Sequence, residues 1–241
     1  MASTVSSDKE LRAAFRRRAE KLWRRLSNAR EQVLEEGGAD AIHDLRVATR
    51  RFQTLIDVSA LSRPSASGAK LRKRVKRLRH ALGGRRDLDV IIEKLRGRIR
   101  DSASARRRQL LRSTMRQLAP EARQQSDQMR REIKKIGSRK LHRLGRRALM
   151  SSNVSRLSLG NLSDAIERAE RKWIATLADA AAHGDSGGYH DVRIKAKTLR
   201  YTIELASRFI QIPMPTRSSN GSRESRMSWA TGTTRSRNAA A

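Results

Sequence analysis

Cysteine is absent from the 241 residues, which removes disulfides, thiol catalysis and thiolate metal ligands and fits a reducing compartment. Proline occurs four times. No apolar run approaches the roughly 20 residues of a membrane span. The amino-terminal segment passes from small polar residues straight into an Arg-rich helical pattern, so the apolar centre of a signal peptide is missing. Asp8 and Glu10 argue against an organellar transit peptide. These absences predict a cytoplasmic protein with no membrane association.

Acid is scarce too: 24 Asp and Glu face 55 Lys and Arg, a formal net charge of +31. Such a surplus calls for a polyanionic partner, because counterion release on phosphate neutralisation drives binding without base-specific contacts. Only eight Phe, Trp and Tyr residues occur, and Phe15, Phe52 and Trp173 fall on apolar seams, leaving few platforms on which single-stranded bases could stack. Non-specific DNA or RNA binding is the rival reading, because this charge attracts nucleic acid at low salt whatever the fold, and duplex binding stays open.

Patterns for chemistry are missing as well. The chain has no HExxH, no Walker-type phosphate loop and no nucleophile–base arrangement. Asp44 and Asp191 each follow a histidine directly, but sequence neighbours point about 100° apart on a helix, which makes a poor His–carboxylate pair. A metal held among so many cations without carboxylate or thiolate neighbours is not expected. The reading is a non-enzyme without metal or cofactor.

What is present is helical periodicity, with apolar residues recurring at three and four rather than two, and the fold class is all-α. Leu11, Phe15, Leu22, Leu26, Ala29 and Val33 mark one face of a first helix that stops at Gly37-Gly38. Asp40 is the expected N-cap of a second, which buries Ile42, Leu45, Phe52, Leu55 and Ile56 and ends before Pro64. A third helix carries Leu71, Val75, Leu78 and Leu82 and closes at Gly83-Gly84, after which Asp87 would cap a fourth. Further helices are expected over 103–119, over 121–136 after a break at Pro120, over 139–150, from Asn161 or Ser163 to the break HGDSGG, and over 189–212.

One segment occurs twice. HDLRVATRRF begins at His43 and HDVRIKAKTL at His190, each with Arg at +3 and Arg or Lys at +7. These three side chains fall within about 60° of one another around a helix, so each copy offers a cationic stripe, and in the first copy the buried residues lie on roughly the opposite side. Each copy follows a Gly-Gly pair, which places its histidine in the expected first helical turn, where free amide hydrogens favour an anion. Arg46 and Arg50, or Arg193 and Lys197, could clamp a phosphate there, and Arg outnumbers Lys 43 to 12. A single charged stripe is ordinarily a solvated face; the doubling favours two helices that pair their cations across one channel. Lys70 to Arg86 adds nine basic residues and no acid in seventeen, with Lys73, Lys76, Arg77 and His80 opposite the apolar seam.

These segments resemble the CHAD family, the conserved histidine α-helical domain. HDLRVATRRF is similar to its first signature, ALGGRRDLDVI to the segment two helices on, and HDVRIKAKTLRYTIEL to the signature of the second half; together they span about Lys9 to Ile212. The resemblance implies two pseudo-symmetric antiparallel helical bundles around a basic central groove or pore that binds inorganic polyphosphate without catalysis, with some members at polyphosphate granules. Carried over by motif, the phosphate-contacting set is His43, Arg46, Arg50, Arg51, Lys73, Lys76, Arg79, His190, Arg193, Lys197 and Arg200, with Asp87 and Asp89 capping or orienting. Gln53 and Thr198 stand where the family usually has basic residues.

The organisation this implies is a flexible 1–8, a first helical half over 9–150 and a second over 151–212. From Pro213 the chain is rich in Ser, Thr and Arg without apolar period, and 213–241 is expected to be disordered. The second half therefore looks incomplete, with a truncated or altered C-terminus. An uncovered apolar seam there predicts low stability or self-association into a homo-oligomer.

Overall fold

The computed structural model describes residues 7–150, 154–183 and 186–210. They belong to one compact unit that runs to Gln211. The expected disordered tail, 213–241, lies outside the described residues. No strand forms among the described residues.

Helix α1 (Asp8–Glu35) starts where the Ser7 hydroxyl accepts from the Glu10 amide, with Asp8 and Glu10 in the first turn, where negative charge suits the helix dipole. It ends at Gly37, whose φ of 64° is the left-handed turn that glycine adopts without strain. The residues it buries include all six of the expected apolar stripe. Helix α2 (Ala39–Ser62) buries Ile42, Leu45, Phe52, Leu55 and Ile56. Its cap is Gly38, which makes no side-chain bond, and Asp40 lies inside the first turn instead of before it. The helix starts earlier than the cap preference suggested because glycine's extended backbone already turns the chain.

Helix α3 (Ala66–Ala81) is capped by Ser65 and buries Leu71, Val75 and Leu78. Helix α4 (Gly83–Arg100) follows without a loop, so Gly83-Gly84 forms its first turn and Asp87 sits within the helix rather than capping it. Leu82 serves both ends, in αR geometry. Helix α5 (Ala105–Ile136) is continuous through Pro120, where the sequence predicted a break. Proline removes one N–H donor and crowds the preceding turn, but Pro120 is exposed, so water can reach the freed Arg116 carbonyl, and the buried residues that follow it, from Ala122 on, anchor the helix. Pro120→Ala is expected to raise stability by about 1–3 kcal/mol in denaturant unfolding; a loss would show that a proline-dependent bend is needed for packing.

Helix α6 (Ser138–Gly145) runs into a π-helical turn, Arg146–Met150. Helix α7 (Leu159–His183) starts slightly ahead of expectation, with Ser158 and Asn161 bonding reciprocally across its first turn. Helix α8 (Ser186–Ala206) begins three residues early and ends six before Ile212. Phe15, Leu26, Phe52, Leu71, Val75 and Ile133 are fully buried, from α1, α2, α3 and α5, and make one core.

The α7–α8 pair joins this core through α2, against which both helices pack. Asp8 accepts from the Leu159 amide at 3.2 Å, Arg12 donates to the Leu157 carbonyl at 3.1 Å, and the Phe15 and Phe209 rings lie 6.1 Å apart. Four large apolar side chains of α7 and α8, Ile174, Leu177, Tyr189 and Ile194, are exposed.

Candidate functional site

Both copies of the repeat lie on helices, and each histidine is the fifth residue of its helix. That places His43 and His190 in the second turn, not the first, and the free amides of the helix start are one turn away. The Ile42 amide already bonds to the Gly38 carbonyl. The equivalence of the two copies survives this correction. Both histidines are exposed.

The side chains at +3 and +7 converge across the α2–α8 contact. Lys197 of α8 has Arg50, Arg193, Arg200 and Arg46 as charged neighbours, so the two copies bring their cations together. Burial, followed by these four like charges, holds the Lys197 ammonium below the usual lysine range. Arg46 is half-buried and lowered for the same leading reason; Arg50, Arg86 and Arg79 add repulsion and Asp87 opposes it. Arg200 lies over the Tyr201 ring, 4.8 Å from its centroid.

Helix α3 supplies a third side. Arg79 is lowered by burial and then by Arg50, and it donates to Gln53 Oε1 at 2.9 Å. Gln53 stands where the family usually has a cation, and here it orients one. Arg72 pairs with Asp57 at 2.6 Å. Burial raises the Asp57 carboxyl against the opposing pull of Arg72. Gln53, Arg72, Lys73, Lys76 and Arg79 line a cavity of about 380 Å³. Lys73, Lys76 and Arg79 are thus brought together as the motif implied, whereas Arg77 and His80 are exposed and do not line it.

Arg51 stands apart. It is rotated about 100° from Arg50, and its guanidinium is paired with Glu204 of α8 at 3.0 Å. Its charged neighbourhood is a separate set around that carboxylate, shared with Arg18, Arg25 and Arg208. Two cations the motif transfer missed belong to the main cluster: Arg72, and Arg86, a neighbour of Arg46. The signal for Arg72 was its spacing of four and seven from Lys76 and Arg79. For Arg86 no helical phase was available, because α4 was expected to start later. Asp89, as expected, orients: it is buried and pairs with Arg85, and burial raises its carboxyl.

The connected set contains Arg46, Arg50, Arg72, Arg79, Arg86, Arg193, Lys197 and Arg200 against Asp57 and Asp87, an excess of six positive charges. Among the described residues no group of His, Asp and Glu is arranged to hold a metal, and no helix is long and apolar enough to cross a membrane. A second cavity, of about 450 Å³, is lined by Trp23, Phe52, His142 and Leu149 among others. Phe52 points away from the cationic stripe of α2, which separates this apolar space from the cluster.

The CHAD domain family matches residues 9–218. The chain belongs to the CHAD domain family. That family is associated in general with polyphosphate binding. Among solved structures, the crystal structure of the CHAD domain from the plant Ricinus communis is similar at a TM-score of 0.60 and 19% identity, over 86% of this chain and 67% of that one. At that identity the likeness concerns the fold. No curated protein matches the chain.

Proposed function

We propose that this CHAD domain binds inorganic polyphosphate as a non-catalytic anion receptor in a groove between α2, α3 and α8. One observation carries the reading: half-buried cations from both repeat copies share one space with six positive charges in excess. Desolvating like charges together is unfavourable unless an anion completes the set. A linear chain with about one charge per phosphate, and no bases to accommodate, suits a narrow arginine-lined space. Lys73 and Lys76 extend it along α3. The cellular setting of this reading is cytoplasmic, at polyphosphate granules.

Competition tests it. Labelled long-chain polyphosphate bound to the full chain at physiological salt is expected to be displaced by unlabelled polyphosphate at far lower concentration than by orthophosphate, single-stranded RNA or duplex DNA, compared per phosphate. Equal displacement by all four would reduce the groove to an undirected cationic surface.

Lys197 gives the reading a pH signature. Its ammonium is held below the ordinary value of about 10.4 in the free protein, and a phosphate beside it favours the charged form. Binding therefore takes up a proton in the alkaline range, and affinity falls as pH rises through the lowered value. Lys197→Arg, which stays charged, is expected to flatten that fall. An unchanged alkaline slope would place Lys197 away from the anion.

A further inference from the structure

Between Val90 and Glu121 no side chain is buried, although Leu88, Asp89 and Ala122 on either side are. The end of α4 and the start of α5 therefore form a two-helix arm whose base alone is anchored in the core. Residues 91–120 hold nine Lys and Arg against Glu93 and Asp101, and no aromatic residue. Among the described residues none of these cations is in an ion pair. This differs from the α2–α3–α8 cluster, where Arg46, Arg50, Arg79 and Lys197 are half-buried and Asp57 and Asp87 lie among the cations.

We propose that this arm is a second polyanion site, one that binds the sugar-phosphate backbone of double-stranded nucleic acid without sequence preference. Shape separates the two sites. A groove with half-buried cations suits a thin chain, whereas one exposed helix of the arm, about 10–12 Å in diameter, matches a duplex major groove about 12 Å wide. Arg112, Arg116 and Arg123 are exposed along one side of α5. They span about 16 Å, enough to meet several phosphates of one strand at about 3.4 Å axial rise each. Arginine suits phosphate because its planar fork can donate two bonds at once. The lack of aromatics removes the stacking surface that single strands require.

The site is independent of the polyphosphate reading and is tested on the full chain beside it. Arg106→Gln/Arg107→Gln/Arg112→Gln/Arg116→Gln changes only exposed positions, and glutamine keeps helix propensity. With labelled random-sequence duplex DNA, this variant is expected to bind about a hundred-fold more weakly at moderate salt. Its log–log salt slope should be shallower by about 3–4, near 0.9 for each lost phosphate contact. Its polyphosphate affinity should stay within about two-fold of the parent. Arg112→Glu/Arg116→Glu, with fewer changes, should show the same selectivity. An unchanged duplex affinity, an equal loss of duplex and polyphosphate binding, or an equal loss of single-stranded and duplex binding would each overturn the assignment.

Discussion

Arg46→Gln/Arg50→Gln/Lys197→Gln is expected to lower polyphosphate affinity by about a thousand-fold at physiological salt while leaving the fold intact. The three side chains come from the two repeat copies and are mutual electrostatic neighbours. A hydrogen bond to a charged group contributes about 1.5–3 kcal/mol, and each 1.4 kcal/mol is about ten-fold in affinity. Three contacts at the lower end give the stated loss. Stability should move the other way. Arg46 and Lys197 are held below their ordinary protonation ranges chiefly by burial and then by one another's charges, so removing these charges relieves desolvation and repulsion in the empty protein. The expected pattern is lost binding with an unchanged or raised melting temperature. Lost binding with a lowered melting temperature would instead point to a structural role for these residues, and retained binding would remove them from the site.

Salt should have an effect of similar size on the parent protein. If the six excess charges of the cluster each release a counterion, affinity is expected to fall by about a thousand-fold between roughly 50 and 200 mM salt, with a straight log–log plot. The triple variant, with fewer phosphate contacts, should give a shallower line by about 2–3. Isothermal titration across that range checks both. A salt-insensitive constant would contradict an electrostatic groove whatever residues line it.

The helices were legible where a stripe of apolar residues and a punctuating glycine agreed. The six-residue face of α1 and the five-residue face of α2 are buried as read, because an amphipathic stripe can be satisfied only against a core. Caps were less legible. Asp40 and Asp87 have the right chemistry, but Gly38 and Leu82 already provide the turns, so the helices start earlier and the aspartates fall inside. The same shift moves His43 and His190 one turn away from their helix starts. Pro120 misled for a related reason: at an exposed position the carbonyl it frees can bond to water, so the lost hydrogen bond costs too little to end the helix.

In the site, the doubled spacing of His, Arg and a further basic residue identified the cationic stripes of α2 and α8, and motif likeness added Lys73, Lys76 and Arg79. Neither could reveal that Gln53 would hold Arg79, nor that Arg51 would be neutralised by a carboxylate 153 residues away. Periodicity alone determined the all-helical class, the buried faces and the direction of each cation about its own helix axis. Only the tertiary structure decided which stripes face one another and which cations acquire acidic partners. The rotation and offset between packed helices depend on contacts between distant segments, and a residue's angle on one helix carries no information about them.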